Sequence, residues 1–508
     1  MKFKSLFIFA FVALVGSACK ESFLDINTNP NTLPTASPSF VFTNALNTTT
    51  TNMLGINETG EYWSGHWTQG NGYIISTTTF AYQFTNGDFN YWDSYYDNLQ
   101  DYQYVIDNAD ANNQKYLKGP AKVMKALMFQ QLVDMYGNIP YTEALKGGTV
   151  LAPKFDDQKT IYESLIMMLD EAIGEIKANP FASAFTGSDI VFRGNITKWA
   201  QFANSLKMRI LIRQSKVAGR DAYIKTEINK IVTEGSGFIT GEDVGAGGAF
   251  FYLATAGKLN PVYDRWGYDA NGAKRALNNY PRLTQFLINS LKTAGDTLRM
   301  KRIAYANSGE SSTTPGTSTL KEVSANYTGT PFGVSSGYLP ANTTSLGPSL
   351  IVKGEYNRPY IIMTAAEIQF LLAEAKQRYS DVSLPNTAKA YFEAGIAQSF
   401  RTFGANTAGA AAYIGSKIDN YDWDASTNKL TAIATQKWIA LTNFSGFEAW
   451  TEYRRTNLPV TPQSIQVPDN KRPVRLFYPN TEAGSNSANV TAQGTVDVFT
   501  TRLFWDVD

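Results

Sequence analysis

The sequence predicts a mainly α-helical protein built from tetratricopeptide-like helix pairs, an α-solenoid or bundle, with a loop-rich irregular insert. Three observations predict it. Apolar residues recur with a 3.6-residue period in long stretches on both sides of the middle of the chain. Ser, Thr or Asn stands just ahead of several of these stretches, where such side chains cap helices. Between about residues 236 and 359 the period is lost and Gly, Ser, Thr and Pro take over.

The elements follow in order. Asp88 to Ala109 carries Phe89, Trp92, Tyr95, Tyr96, Leu99, Tyr102 and Ile106 on one helical face. Lys118 to Tyr136 repeats the spacing with Ala121, Met124, Leu127, Met128, Leu132 and Met135, then stops at Gly137, a C-cap residue. Thr160-x-x-Glu163 reads as a capping box ahead of Leu165, Ile166, Leu169, Ile173 and Ile176. Asn195 caps a helix from about Thr197 to Gln214, and Tyr223 to Glu234 continues the pattern. Thr364-x-x-Glu367 opens a stripe of Ile368, Leu371, Leu372 and Ala375. After Pro385, a helix runs from Thr387 to Arg401. Those last two form a pair close to the ~34 residues of a tetratricopeptide unit. Residues 118–136 with 160–177, and 197–214 with 223–234, are candidate further pairs, and an ordinary helical bundle fits the same periodicity. Gly55 to Gly87, Gly235 to Pro281 and Ser308 to Ser349 read as long loops, the first two dense in aromatics.

Composition excludes whole function classes. The 508 residues hold 45 Lys+Arg against 44 Asp+Glu, so there is no basic footprint for nucleic acid. One His and one Cys cannot build a Cys/His zinc site or an internal disulfide. No metal site and no cofactor is expected. Charged residues are only 18%, so the polar surface must come largely from Asn, Thr, Ser, Gln and Gly, while aromatics reach 13%.

The N-terminus reads as an address. Lys2 and Lys4 precede the apolar run Leu6 to Val15, and Gly16-Ser17-Ala18 places small residues before Cys19. About ten apolar residues are too few to span a bilayer. Residues 1–18 are therefore expected to be a lipoprotein signal, with Cys19 the lipidated residue and the only membrane anchor. Gly16 stands where such signals usually carry Leu. Residues 19–38, rich in Pro and Asn, are an extended leader. Residues 39–508 form a single domain, with a helical-repeat core at about 88–235 and 360–402 and the loop-rich insert at about 236–359.

Three stretches resemble the SusD/RagB family. They are the leader Cys19-Lys20-Glu21-Ser22-Phe23-Leu24-Asp25 through Asn31, the turn Asp134-Met135-Tyr136-Gly137-Asn138-Ile139-Pro140, and the late Gly446-Phe447-Glu448-Ala449-Trp450 through Arg454-Arg455 to Pro459. The resemblance implies a SusD-like outer-membrane lipoprotein on the cell-surface side, non-enzymatic and working with a SusC-like TonB-dependent transporter. It implies a nutrient ligand, above all an oligosaccharide, with a peptide as the alternative, held on loops of the irregular part.

The residues themselves agree with a binder. Sugar rings have apolar C–H faces and polar rims, so aromatic platforms beside Asn, Asp, Gln and Arg suit them. Trp63, Trp67 and Tyr73 lie among glycines, and Trp266 and Tyr268 are flanked by Asp264, Arg265, Asp269 and Asn271. These five are the candidate ligand-binding residues, expected to reach solvent, although buried packing is the commoner fate of a large ring. No catalytic residue is assigned. His66 has no nucleophile motif to serve, Glu242-Asp243 reads as solvated loop charge, and Arg454-Arg455 as an internal ion pair or a partner contact. The rival readings are a surface glycoside hydrolase and a helical-repeat assembly scaffold without a small ligand.

Overall fold

The computed structural model describes residues 36–179, 182–307, 324–469 and 471–507. The signal segment, Cys19 and most of the leader lie outside the described residues. Ten helices of eleven residues or more occur among them: α1 Pro38–Trp63, α2 Trp92–Asn108, α3 Lys118–Tyr136, α4 Gln158–Ala178, α5 Ile196–Arg213, α6 Asp221–Glu234, α7 Ala365–Arg378, α8 Ala388–Phe403, α9 Lys429–Leu441 and α10 Gly446–Thr456. The fold is mainly α-helical and tetratricopeptide-like.

Neighbours in sequence pack side by side from α1 to α4. Helix α5 then packs on α4 and α7, α7 pairs with α8 and α9, and α10 returns onto α1. Helix α3 lies between α2 and α4 and also touches α5. Its composition explains that position: apolar residues surround it and nearly every side chain is buried. Gly137 ends it with φ 80°, a conformation that favours glycine.

Most of the predicted caps hold. Asn195 and Thr364 accept from the backbone N–H of Lys198 and Glu367, while Thr387, read as the first residue of its helix, is instead the cap and accepts from Ala390. At α4 the cap is Asp157, whose side chain accepts from Thr160, so the helix begins two residues before the predicted box. The predicted loop from Gly55 is corrected more deeply: residues 55–63 are the last turns of α1, which Pro38 opens at its first position. The run Thr48-Thr49-Thr50-Thr51 and the glycines conceal its period. Those glycines serve packing. A Cβ on Gly60 would lie 2.2 Å from the carbonyl carbon of Gly446, and one on Gly446 would lie 2.4 Å from the Asn57 carbonyl oxygen. Helices α1 and α10 therefore meet backbone to backbone.

Short antiparallel two-stranded ladders tie the irregular part to the helices. Trp67–Gln69 pairs with Pro281–Leu283, Val244–Gly247 with Pro359–Met363, and Ala304–Tyr305 with Ser345–Leu346. The insert also holds the helices Gln285–Thr293 and Thr297–Ile303.

A buried ion network crosses the helical core. Arg209 on α5 is bidentate to Glu367 on α7 at 2.7 and 2.9 Å, and Arg213 pairs with Glu448 on α10. Arg455 reaches Glu374 at 2.8 and 2.7 Å and Glu452 at 2.6 Å, while Lys437 on α9 holds Glu452 at 2.8 Å. Arg454 lies over the Trp450 ring at 3.7 Å and donates to the carbonyls of Asp134 and Val474 at 2.8 and 2.9 Å. The two internal motifs of the sequence thus meet, and the arginine pair is internal.

Candidate functional site

The five candidate rings separate into four environments. Trp63 is 2% exposed at the end of α1, with Trp450 at 4.9 Å, Phe89 at 5.2 Å and Phe84 at 5.6 Å, and its indole donates to the Thr79 carbonyl. Tyr268 is 2% exposed, packed at 5.8 Å from Tyr263. Trp67 and Trp266, 1% and 2% exposed, meet edge to face at 5.1 Å and line an inner cavity. The expectation that these four rings reach solvent is therefore corrected. Trp63 belongs to a helix whose inner face must be covered, and Trp67 sits in a strand whose three residues are all buried. Only Tyr73 stands at the surface, half-buried.

Three loops converge on Tyr73. Gln69, almost wholly buried, donates to the carbonyls of Tyr73 and Ile74 and accepts from the Ser76 N–H and the Tyr280 hydroxyl. The Tyr73 ring lies edge-on to Tyr280 at 5.2 Å, and its hydroxyl donates to the Ala276 carbonyl. Asn71 donates to the Val334 carbonyl and accepts from the Tyr338 N–H at 2.6 Å, which locks the third loop alongside. The result is a fixed face of half-buried Tyr73, Tyr280 and Tyr338 beside Ile74 and Leu339, 95% and 55% exposed, with Ser335, Ser336 and Asn279 exposed around it. Burial pushes the Tyr280 hydroxyl up to about 12, so it stays protonated and keeps its bond to Gln69. Tyr280 and Tyr338 were not among the sequence candidates.

A second region lies between α1 and the segments around residues 260 and 355. An outer cleft of about 610 Å³ is lined by Thr51, Leu54, Tyr252, Lys258, Asp264 and Arg265 among others. Beyond it, a cavity of about 50 Å³ is lined by Glu58, Glu61, Trp67, Trp266 and Ser349 among others. Arg265 joins Glu58 at 2.5 Å and lies 5.4 Å from the Trp266 ring centre, between the two spaces. Burial raises the Glu58 carboxyl against the pull of Arg265, and raises that of Glu61 against His66. His66 is fully buried. Its Nε2 donates to the Trp438 carbonyl at 2.9 Å, and its Nδ1 lies 2.8 Å from a Glu61 oxygen, so one proton is held between that pair.

Elsewhere the titratable groups have structural work. Asp243, read from the sequence as solvated, accepts from the Ala365 N–H and the Thr402 hydroxyl, capping α7, whereas Glu242 is exposed beside Lys198. No group of His, Cys, Asp and Glu among the described residues is arranged to hold a metal ion. No described helix is long and apolar enough to cross a membrane.

The architecture is that of a helical-repeat binding scaffold whose irregular part presents a tyrosine face and a cleft. The chain belongs to the SusD-like family, described as starch-binding and associating with the outer membrane, whose model matches residues 30–479. Three solved structures share the fold. A chitin-binding SusD homologue from Flavobacterium johnsoniae is 22% identical, with TM-score 0.71 over 92% of this chain and 99% of its own. An outer-membrane protein of Bacteroides vulgatus, described as involved in nutrient binding, is 22% identical, with TM-score 0.72 over 93% and 100%. A SusD homologue of Bacteroides fragilis is 21% identical, with TM-score 0.73 over 93% and 99%. No curated protein matches the chain.

Proposed function

We propose that this protein binds an oligosaccharide at the cell surface and delivers it to a SusC-like TonB-dependent transporter, held to the outer membrane by lipid on Cys19. The observation that carries the reading is the face formed by Tyr73, Tyr280 and Tyr338. Gln69 holds the Tyr280 ring, the Ala276 carbonyl holds the Tyr73 hydroxyl, and Asn71 fixes the backbone of the loop that carries Tyr338, all before any ligand arrives, which removes an ordering cost from binding. Tyrosine rings complement the C–H faces of a sugar, and the Ser and Asn rim offers hydrogen bonds without charge. Affinity should therefore change little with salt. Family membership and the chitin-binding homologue support the ligand class.

Glycoside hydrolysis is the reading set aside. Glu58 and Glu61 have raised carboxyls, as an acid catalyst requires. Each is already engaged, by Arg265 and by His66, and the cavity of about 50 Å³ cannot hold two rings across a scissile bond. The test is isothermal titration with malto- and chito-oligosaccharides on the parent and on Tyr73→Ala. One series should bind the parent, and the variant should bind it about tenfold more weakly, roughly 1.4 kcal/mol. Release of new reducing ends, or equal affinity in both proteins, would refute the assignment.

A further inference from the structure

The inner cavity is lined by residues that carry unpaired polar atoms. Three polar atoms on its lining residues have no hydrogen-bond partner: the Trp266 indole N–H, one Glu61 carboxylate oxygen and the Ser349 hydroxyl. All three residues are more than nine-tenths buried. Leaving a buried polar group without a partner is costly, so three on the lining of one space call for an occupant. The second Glu61 oxygen is fixed by His66, which leaves the first aimed by a rigid support. Trp266 is likewise held, edge to face against Trp67.

We propose that this cavity is a binding site, distinct from the tyrosine face, for a small uncharged hydroxyl-bearing group: a free two-carbon diol, or the hydroxymethyl end of a larger molecule lying in the outer cleft. The donor and acceptor set decides the chemistry. The indole N–H can only donate, the Glu61 oxygen can only accept while ionised, and the serine hydroxyl can do either. Hydroxyl groups satisfy all three at once. An ammonium group would leave the indole unmet, and a carboxylate would face Glu61. Size agrees: about 50 Å³, at roughly 10–15 Å³ for each water-sized position, accommodates about three to five heavy atoms, the size of a two-carbon diol. The edge of the Trp67–Trp266 pair supplies the apolar wall that C–H groups need. Arg265, bridging Glu58 and bordering the outer cleft, stands at the threshold.

The experiment follows the indole N–H resonances of the protein labelled at its nine tryptophans, with Trp266→Phe identifying the relevant signal. Titration with ethylene glycol should shift that one signal saturably. Ser349→Ala should weaken the response about tenfold, and Tyr73→Ala should leave it unchanged. A drift of all indole signals that does not saturate, no shift at the Trp266 signal, or an undiminished response in Ser349→Ala would overturn the proposal. Loss of oligosaccharide binding in Tyr73→Ala with the ethylene glycol response intact separates this site from the tyrosine face. The reverse pattern, with oligosaccharide bound and no ethylene glycol response, sinks the inner site alone.

Discussion

Replacing Arg455 with Met tests how the helical core is held. The guanidinium is fully buried and bonds Glu374 at 2.8 and 2.7 Å, Glu452 at 2.6 Å and the Ser215 hydroxyl at 2.8 Å. Methionine fills much of the volume but leaves the carboxylates behind. Glu452 keeps Lys437 at 2.8 Å and Arg213 at 3.3 Å, whereas Glu374 keeps only Arg378 at 2.7 Å. The loss therefore falls mainly on Glu374. Removing one partner of a buried pair costs about 3–5 kcal/mol, and the surviving contacts place this change near the lower end, about 3 kcal/mol at pH 7. The pH dependence gives a sharper check. Burial pushes the Glu374 carboxyl up, but Arg455 and then Arg378 outweigh it and hold it at about 2. That depressed value means that the pair's stabilisation is full above about 4.3, where the unfolded carboxyl ionises, and is lost as pH falls towards 2. Without Arg455, burial is largely unopposed, Glu374 takes up a proton at higher pH, and its uncompensated charge disappears. The deficit of the variant should then shrink by up to roughly 1.4 kcal/mol per pH unit over the acid range. Urea unfolding followed by circular dichroism at pH 7, 5 and 4 measures it. A deficit below about 1 kcal/mol at pH 7, or one equally large at pH 4, would refute the reasoning, since an ordinary packing defect carries no such slope.

Four further substitutions test other links. Gly60→Ala should drive α1 away from α10 and lower the urea midpoint by an amount corresponding to about 1–3 kcal/mol, because the new methyl would meet Gly446 backbone that cannot rotate away. Trp63→Ala should cost about 3–5 kcal/mol in the same assay, since it opens the aromatic cluster around Trp450 and Phe89. Asp157→Ala should remove the N-cap of α4 at about 1 kcal/mol, while Thr160→Ala, which leaves the Thr160 backbone N–H in place, should cost less.

The helices were legible wherever period and cap coincide, as at Asn195, Thr364 and Thr387. Helix α1 was not, because a helix that touches α10 through glycine and buries Thr49, Thr50 and Asn57 does not show an apolar stripe. The same concealment misplaced Trp63, which looks like a loop residue only while Gly55 to Gly65 looks like a loop. In the proposed tyrosine face, the surface position of Tyr73 could be read from its glycine-rich surroundings. Tyr280 and Tyr338 could not, since what brings them to Tyr73 is Gln69 reaching Tyr280 and Asn71 reaching Tyr338, contacts spanning 211 and 267 positions. Nothing local to either tyrosine carries that information. The pairing of Glu367 with Arg209 is a similar case: the capping box gave the glutamate a role at the helix start, and its side chain serves α5 instead.

That last pairing bears on why so much charge is buried in a chain so poor in it. The α7–α8 contact is lined largely by Ala, Leu and Phe, and small apolar surfaces of this kind tolerate sliding. A bidentate guanidinium does not. Shifting α7 by one turn along α5, about 5.4 Å, would separate Arg209 from Glu367 and leave Glu367 buried without its bidentate partner, Arg209 keeping only Glu448 at 3.3 Å. The same holds for Arg213 with Glu448 and for Arg455 with Glu374, each joining a different pair of helices. The network therefore penalises wrong registers more than it stabilises the right one. Register matters here because α1 carries Glu58 and Glu61 on one side of the inner cavity, while the segment held by the Val244–Gly247 and Pro359–Met363 ladder, which leads into α7, forms another. A scaffold pinned by charge can leave the proposed ligand face to uncharged tyrosine, serine and asparagine, where the neutral sugar proposed above would pay the least desolvation.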